Sequence, residues 1–141
     1  MSTVVPNHFK YLLATKAVDF ANDVFKIILM TSGFTFSIDD DALYADVSAD
    51  ELANGNGYTT GGNTLAGVSV TEDDSNDRCG VTWSNTSWTA AGGSIGPTPG
   101  AIIYDDTLAG DPLVQYIDFG AEYTQADGGT ATLSSLAFRL V

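Results

Sequence analysis

One histidine, one cysteine and eighteen carboxylates are the side chains of this 141-residue sequence best suited to acid–base, nucleophilic or metal chemistry. General acid–base and nucleophilic catalysis usually set a histidine against a hydroxyl, thiol or carboxylate. The sole histidine, His8, has no acid beside it in sequence and lies in an N-terminal segment. A pair with Cys79 would have to be assembled in space, yet Cys79 alternates with Val81 and Trp83 on one side of a strand pattern, a core face where a thiol is inert. Zinc takes three or four Cys or His ligands, and the chain has two such residues. Three acidic clusters offer oxygen ligands for calcium: Asp39-Asp40-Asp41, Asp73-Asp74 with Asp77, and Asp105-Asp106 with Asp111. None has the EF-hand's sixth-position glycine and terminal glutamate, and each reads as a solvated turn in which Asp bonds its own backbone. With eighteen acids, some pair will stand at a glycosidase separation by chance. The run NGNGYTTGG (54–62) has three residues between Gly57 and Gly61 and no Lys-Ser or Lys-Thr after it, so it reads as a loop with left-handed turns and not as a phosphate cradle. No catalytic residue, metal or cofactor is expected.

Charge narrows the partners. Eighteen acidic against five basic side chains give a net charge of −13, which repels a phosphate backbone and favours a basic protein surface or a cation. Only 16% of residues are charged, so much of the polar surface falls to Gly, Ser, Thr and Asn. The longest apolar stretch, Ile27 to Met30, is far too short to span a bilayer, and Met1 to Pro6 lacks a signal-peptide pattern. No membrane association is expected, and Asn85-Thr86-Ser87 is a glycosylation sequon in form only. A lone cysteine allows no intrachain disulfide.

These side chains must be positioned by a mostly β framework. Residues 7–15 predict a short helix with Asn7 as N-cap and Phe9, Leu12 and Leu13 on one face. Residues 24–31 (VFKIILMT) read as a buried strand. Ser48 with Glu51 suggests a capping box for a second short helix over 45–53, inside an otherwise loop-like stretch from 36 to 62. Strand patterns then follow at 64–71, 78–84, 86–90, 101–105, 113–119, 130–134 and 136–141. Turn patterns separate them at 73–77, 92–100, 105–112 and 126–129. The expectation is a single all-β domain over 1–141, a jelly-roll-like β-sandwich with one or two short helices. Residues 1–11 are expected to form a flexible arm. Of Trp83 and Trp88, one is expected in the core and the other, with Tyr44, Tyr58, Tyr104 and Tyr123, is available as an aromatic anchor for a protein or a sugar.

Five segments resemble a family of small bacteriophage virion proteins known as capsid decoration or cement proteins. They are residues 8–30 (HFKYLLATKAVDFANDVFKIILM), 44–71, 81–90, 101–106 and 117–120, in the family's order. The most specific piece is DVSADEL (46–52) followed by GNGYTTGG (55–62). The resemblance implies a jelly-roll-like structural protein, made in the host cytoplasm, that sits on the capsid exterior. There it would bind the major capsid protein, bridge its subunits and form a homo-oligomer, a dimer or trimer, with no catalytic residues to carry over. Some relatives are tail or fibre proteins, so a glycan-binding tail component is the alternative. Pro6, His8, Phe9 and Tyr11 of the arm, with Tyr44 and Tyr58, are the expected partner contacts.

Overall fold

Phe25 to Met30 is an unbroken apolar run apart from Lys26, and its place in the fold explains why. The computed structural model describes every residue from Met1 to Val141. In chain order the elements are β1 (Ser2–Val4), α1 (Asn7–Ala14), β2 (Phe25–Leu29), α2 (Tyr44–Val47) running into a 3-10 turn (Ser48–Asp50), β3 (Asn63–Thr64), β4 (Ser69–Asp73), β5 (Arg78–Thr82), β6 (Thr86–Thr89), β7 (Ile95–Asp105), β8 (Leu113–Gln125), β9 (Thr130–Leu133) and β10 (Ala137–Leu140). All pairings are antiparallel. They give a five-stranded sheet in the order β1-β8-β7-β2-β3, a three-stranded sheet β10-β5-β4 and a two-stranded sheet β6-β9. The expected all-β sandwich with two short helices is the fold the chain adopts.

The middle of the large sheet, β2 and the facing half of β7, is buried on both faces. Phe25, Ile27 and Leu29 of β2 and Ala101 and Ile103 of β7 point into a core shared with Val81, Trp83, Trp88, Leu136 and Phe138 from the small sheets and their flanks. Ile28, Met30, Ile102 and Tyr104 point the other way, into a second core closed by Val47 of α2 and by Phe34, Phe36 and Tyr44. A strand with two buried faces shows no polar alternation. Each fully buried large apolar side chain contributes about 1.5–3 kcal/mol through its removal from water.

The N-terminus is part of this body, which corrects the expectation of a flexible arm. Ser2, Thr3 and Val4 pair with Asp118, Ile117 and Tyr116 of β8. Phe9 is fully buried, its ring edge-on to Phe20 at 5.9 Å and Phe138 at 5.6 Å. Pro6 is buried as well. Asn7 does not cap α1: Pro6 holds the N-cap position without a side-chain bond, and the Asn7 amide donates to Asp39 Oδ1 at 2.6 Å.

Four other local expectations fail for identifiable reasons. The glycine- and proline-rich stretch 92–100 reads as a turn, but Ile95 to Gly100 begins β7; its pairing to β8 shifts register at Thr98 and Gly100, and irregular pairing tolerates Pro97 and Pro99. Residues 64–71 are divided between β3 and β4 by a bend at Gly67, where φ is +66° and an added Cβ would lie 2.2 Å from Ser84 Oγ. Both tryptophans are core, Trp83 at 6% and Trp88 at 3% exposure, because the turn between them puts their strands in different small sheets that cover the same core. Cys79 is only half-buried, since β5 reaches the core only at Val81.

Candidate functional site

The stretch from Asp46 to Gly62 folds into an internal brace. Asp46 opens it: Oδ2 accepts the backbone N–H of Ala42 at 3.1 Å and of Leu43 at 2.8 Å, fixing the start of α2. The expected capping box between Ser48 and Glu51 does not form. The Ser48 hydroxyl donates to Ala45 O, and the chain turns inward after Asp50 so that Leu52 N donates to Leu29 O at 2.9 Å. That turn carries Glu51 into the protein, where it is 8% exposed.

Three donors converge on the Glu51 carboxylate. Tyr58 Oη and Gly61 N each donate to Oε1 at 2.7 Å, and Tyr44 Oη donates to Oε2. Tyr58 Oη in turn accepts Leu29 N at 3.1 Å, Tyr104 Oη donates to Gly61 O at 2.8 Å, and the rings of Tyr44 and Tyr104 stack at 5.0 Å. Burial first, and then the Glu51 carboxylate, push the Tyr44 and Tyr58 phenols well above their ordinary value; burial and then Asp106 do so for Tyr104. All three stay protonated and serve as donors. Both carboxylate oxygens are engaged within the protein, so this acid is a structural hub.

The glycines have the same origin. Gly62 has φ +73°, and a Cβ there would lie 1.8 Å from Ile27 O; Gly57 has φ +93°, with Thr89 O at 2.0 Å from such a Cβ. Both positions need a left-handed backbone pressed against a strand, which only glycine permits.

The expected partner contacts separate accordingly. Tyr58 is buried in the brace and Pro6 and Phe9 are buried as well, so these three are corrected from contacts to scaffold, while Tyr44 is half-buried with its hydroxyl on Glu51. His8 is half-buried and Tyr11 is 62% exposed, and their rings stack at 6.2 Å on the outer face of α1. Of the other aromatics weighed as anchors, Tyr104 is buried and Tyr123 is 46% exposed.

Two acidic clusters are turns closed by their own side chains. Asp41 Oδ2 accepts Ser37 N at 2.7 Å and Asp40 Oδ2 accepts the Ser37 hydroxyl at 2.9 Å. Asp73 accepts the Asn76 amide and the Arg78 guanidinium, which hold its carboxyl below the usual range. The third departs from the expected solvated turn, because Asp105 is fully buried. Its Oδ1 accepts Thr107 N at 2.9 Å and Leu108 N at 3.3 Å, while Oδ2 is sealed from water without a hydrogen-bond partner. Burial pushes its pKa up to about 7, with the Asp23 carboxyl adding to the rise and the Thr107 N–H opposing it. The folded state therefore binds this proton more tightly than the unfolded chain, whose Asp titrates near ~4. Stability from this group is fully present below that pH and is lost as pH rises toward about 7. Asp105→Asn keeps the acceptor for the two N–H groups and removes the titration. Urea midpoints from pH 4 to 8 are expected to fall with rising pH less steeply for Asp105→Asn than for the parent, with the variant the more stable of the two at pH 8; parallel profiles would contradict the assignment.

No three His, Cys, Asp or Glu side chains converge in a geometry that would hold a metal ion, and no helix is long and apolar enough to cross a membrane. Two of the five basic side chains are spent on neighbouring acids, Lys26 with Asp106 at 3.2 Å and Arg78 with Asp73 at 2.9 Å.

The surface feature that remains is an open apolar recess of about 400 Å³. Leu29, Trp88, Ile95, Phe119, Tyr123 and Leu133 line it, from five different strands, and Met1 stands at its rim. It opens beyond Ser2, the first residue of β1. Beyond Asp118, β8 continues to Gln125 with β7 on one side and no strand on the other. Nothing in the sequence pattern signals this recess, because its residues are spread over five strands that contribute one to four each. Comparison with family models, with curated proteins and with solved structures gives no match.

Proposed function

We propose that the protein is a structural component of a bacteriophage virion that binds the outside of the capsid and cements neighbouring major capsid protein subunits. The observation that carries this reading is the open apolar recess beside an unpaired strand edge, on a molecule of net charge −13. Such a surface suits docking to a protein with a basic, apolar counterpart. Its charge keeps it from competing for packaged DNA. Repetition over a shell makes modest individual contacts strong, the more so if the protein acts as a dimer or trimer. The resemblance of DVSADEL and GNGYTTGG supplies the identity of the shell, and the brace those residues build supplies a rigid body to present the recess.

Mixing the purified protein with undecorated heads and sedimenting them tests the reading. The protein is expected in the pellet at low salt and progressively less as ionic strength rises, since screening weakens contacts between opposite charges. Absence from the pellet at every salt concentration would overturn it.

Exposed Tyr11, stacked on half-buried His8, favours a second reading, a tail or fibre component whose aromatic platform binds a host-surface glycan. Retention of the protein on host cells, lost on Tyr11→Ala, would support that reading over the first.

A further inference from the structure

The recess and the strand edge together indicate how docking would be made, and the following rests on the assembly reading above. We propose that the edge of β8 from Ala121 to Gln125 accepts an extended segment of a basic partner protein as an added antiparallel strand, in line with β1, whose inward side chains fill the recess.

Register supports this. Ser2 pairs with Asp118, so Met1 falls opposite Phe119, and a strand continuing along that line runs beside Ala121 to Gln125. Phe119, Ala121 and Tyr123 all line the recess, with Glu122 beside them, and the left-handed Gly120 lies between the first two. Cross-strand partners share a face, so alternate residues of an added strand, those opposite Ala121 and Tyr123, would enter the recess. The apolar lining meets them there, and the bare backbone N–H and C=O groups of β8 supply the ladder. This part of β8 is paired irregularly: between Gly100↔Asp118 and Thr98↔Tyr123 the register advances further on β8 than on β7, and Gly120 has φ +80°.

Charge selects the occupant. Asp118 and Asp127 flank the edge, Glu122 stands in the lining of the recess, and no Lys or Arg lines it. Arg139 lines an adjoining recess that shares Met1 and Leu133 with this one. A second copy would bring another −13 to the same place. A segment with alternating apolar residues and outward-facing Lys or Arg complements the site in both shape and charge.

The probe is a short synthetic peptide of alternating lysine and valine, compared with the same peptide carrying N-methyl groups on every second residue, which keeps its charge but removes ladder donors. Hydrogen exchange of the full-length protein is the readout. The unmethylated peptide is expected to slow exchange within residues 121–125 about tenfold, and the methylated one to leave it unchanged. Ala121 is exposed, and Ala121→Arg is expected to keep the parent melting temperature while abolishing that protection. Equal protection by both peptides, protection elsewhere or none at all would overturn the proposal. Protection of these amides without peptide, growing with protein concentration, would also overturn it by assigning the edge to a second copy. Undecorated heads separate the two levels. Parent bound with Ala121→Arg unbound supports strand addition at the shell. Equal binding by both overturns strand addition there and leaves the capsid reading standing. Failure of the parent to bind overturns the capsid reading, while the peptide result still decides the edge.

Discussion

Replacing Glu51 by alanine is expected to lower the free energy of unfolding by about 3–5 kcal/mol, because it leaves buried donors of Tyr44, Tyr58 and Gly61 without an acceptor. A domain of this size has about 5–15 kcal/mol in all, so the variant would be close to unfolding at physiological temperature. Two milder substitutions separate the hub from its spokes. Tyr44→Phe removes one donor to Oε2 and is expected to cost about 1–3 kcal/mol. Tyr58→Phe breaks two links, since its hydroxyl both donates to Glu51 and accepts Leu29 N, and it is expected to cost more than Tyr44→Phe. The double variant should fall short of or exceed the sum of the singles, as expected for residues in one network. Urea unfolding of the parent and the four variants measures all of this. A Glu51→Ala variant within about 0.5 kcal/mol of the parent, the range of ordinary surface changes, would show that the carboxylate is not a structural hub.

Phe9→Ala is expected to cost a similar amount, about 3–5 kcal/mol, since it empties a fully enclosed aromatic site between Phe20 and Phe138. Tyr11, two residues on, is mostly exposed, and Tyr11→Ala is expected to change stability by no more than about 0.5 kcal/mol. The contrast tests whether α1 belongs to the body of the domain. A free arm would show neither effect, and removal of residues 1–11 would then leave the melting temperature unchanged. With β1 paired to β8 and Phe9 in the core, that truncation should instead destabilise the domain severely.

How legible was this molecule before its fold was known? Val81, Trp83, Leu136 and Phe138 were readable as a core because period-two alternation records a strand with one buried face. β2 was readable from its continuous apolar run. Residues 95–100 were not, because their Gly and Pro residues meet an irregular stretch of β8 that sequence periodicity does not register. The roles of Glu51 and Asp105 were hidden for a different reason. An acid inside a loop reads as solvated, and only tertiary contacts bring three donors to one of them and exclude water from the other. A signal for Glu51 was present: a glutamate and a tyrosine seven positions apart, within the most specific motif, followed by glycines. The motif was legible as a likeness and illegible as a brace. Composition announced the acidic surface directly, whereas the recess depends on where five strands end.

Reconstruction of intact heads by electron cryomicroscopy, prepared with this protein bound, is the most direct test of the capsid role. If the protein cements the shell, density matching its sandwich will repeat on the head lattice, bridging adjacent capsid subunits, with the recess and the β8 edge turned toward them. Heads bare of that density, with the protein found only on the tail or in no part of the particle, would contradict it.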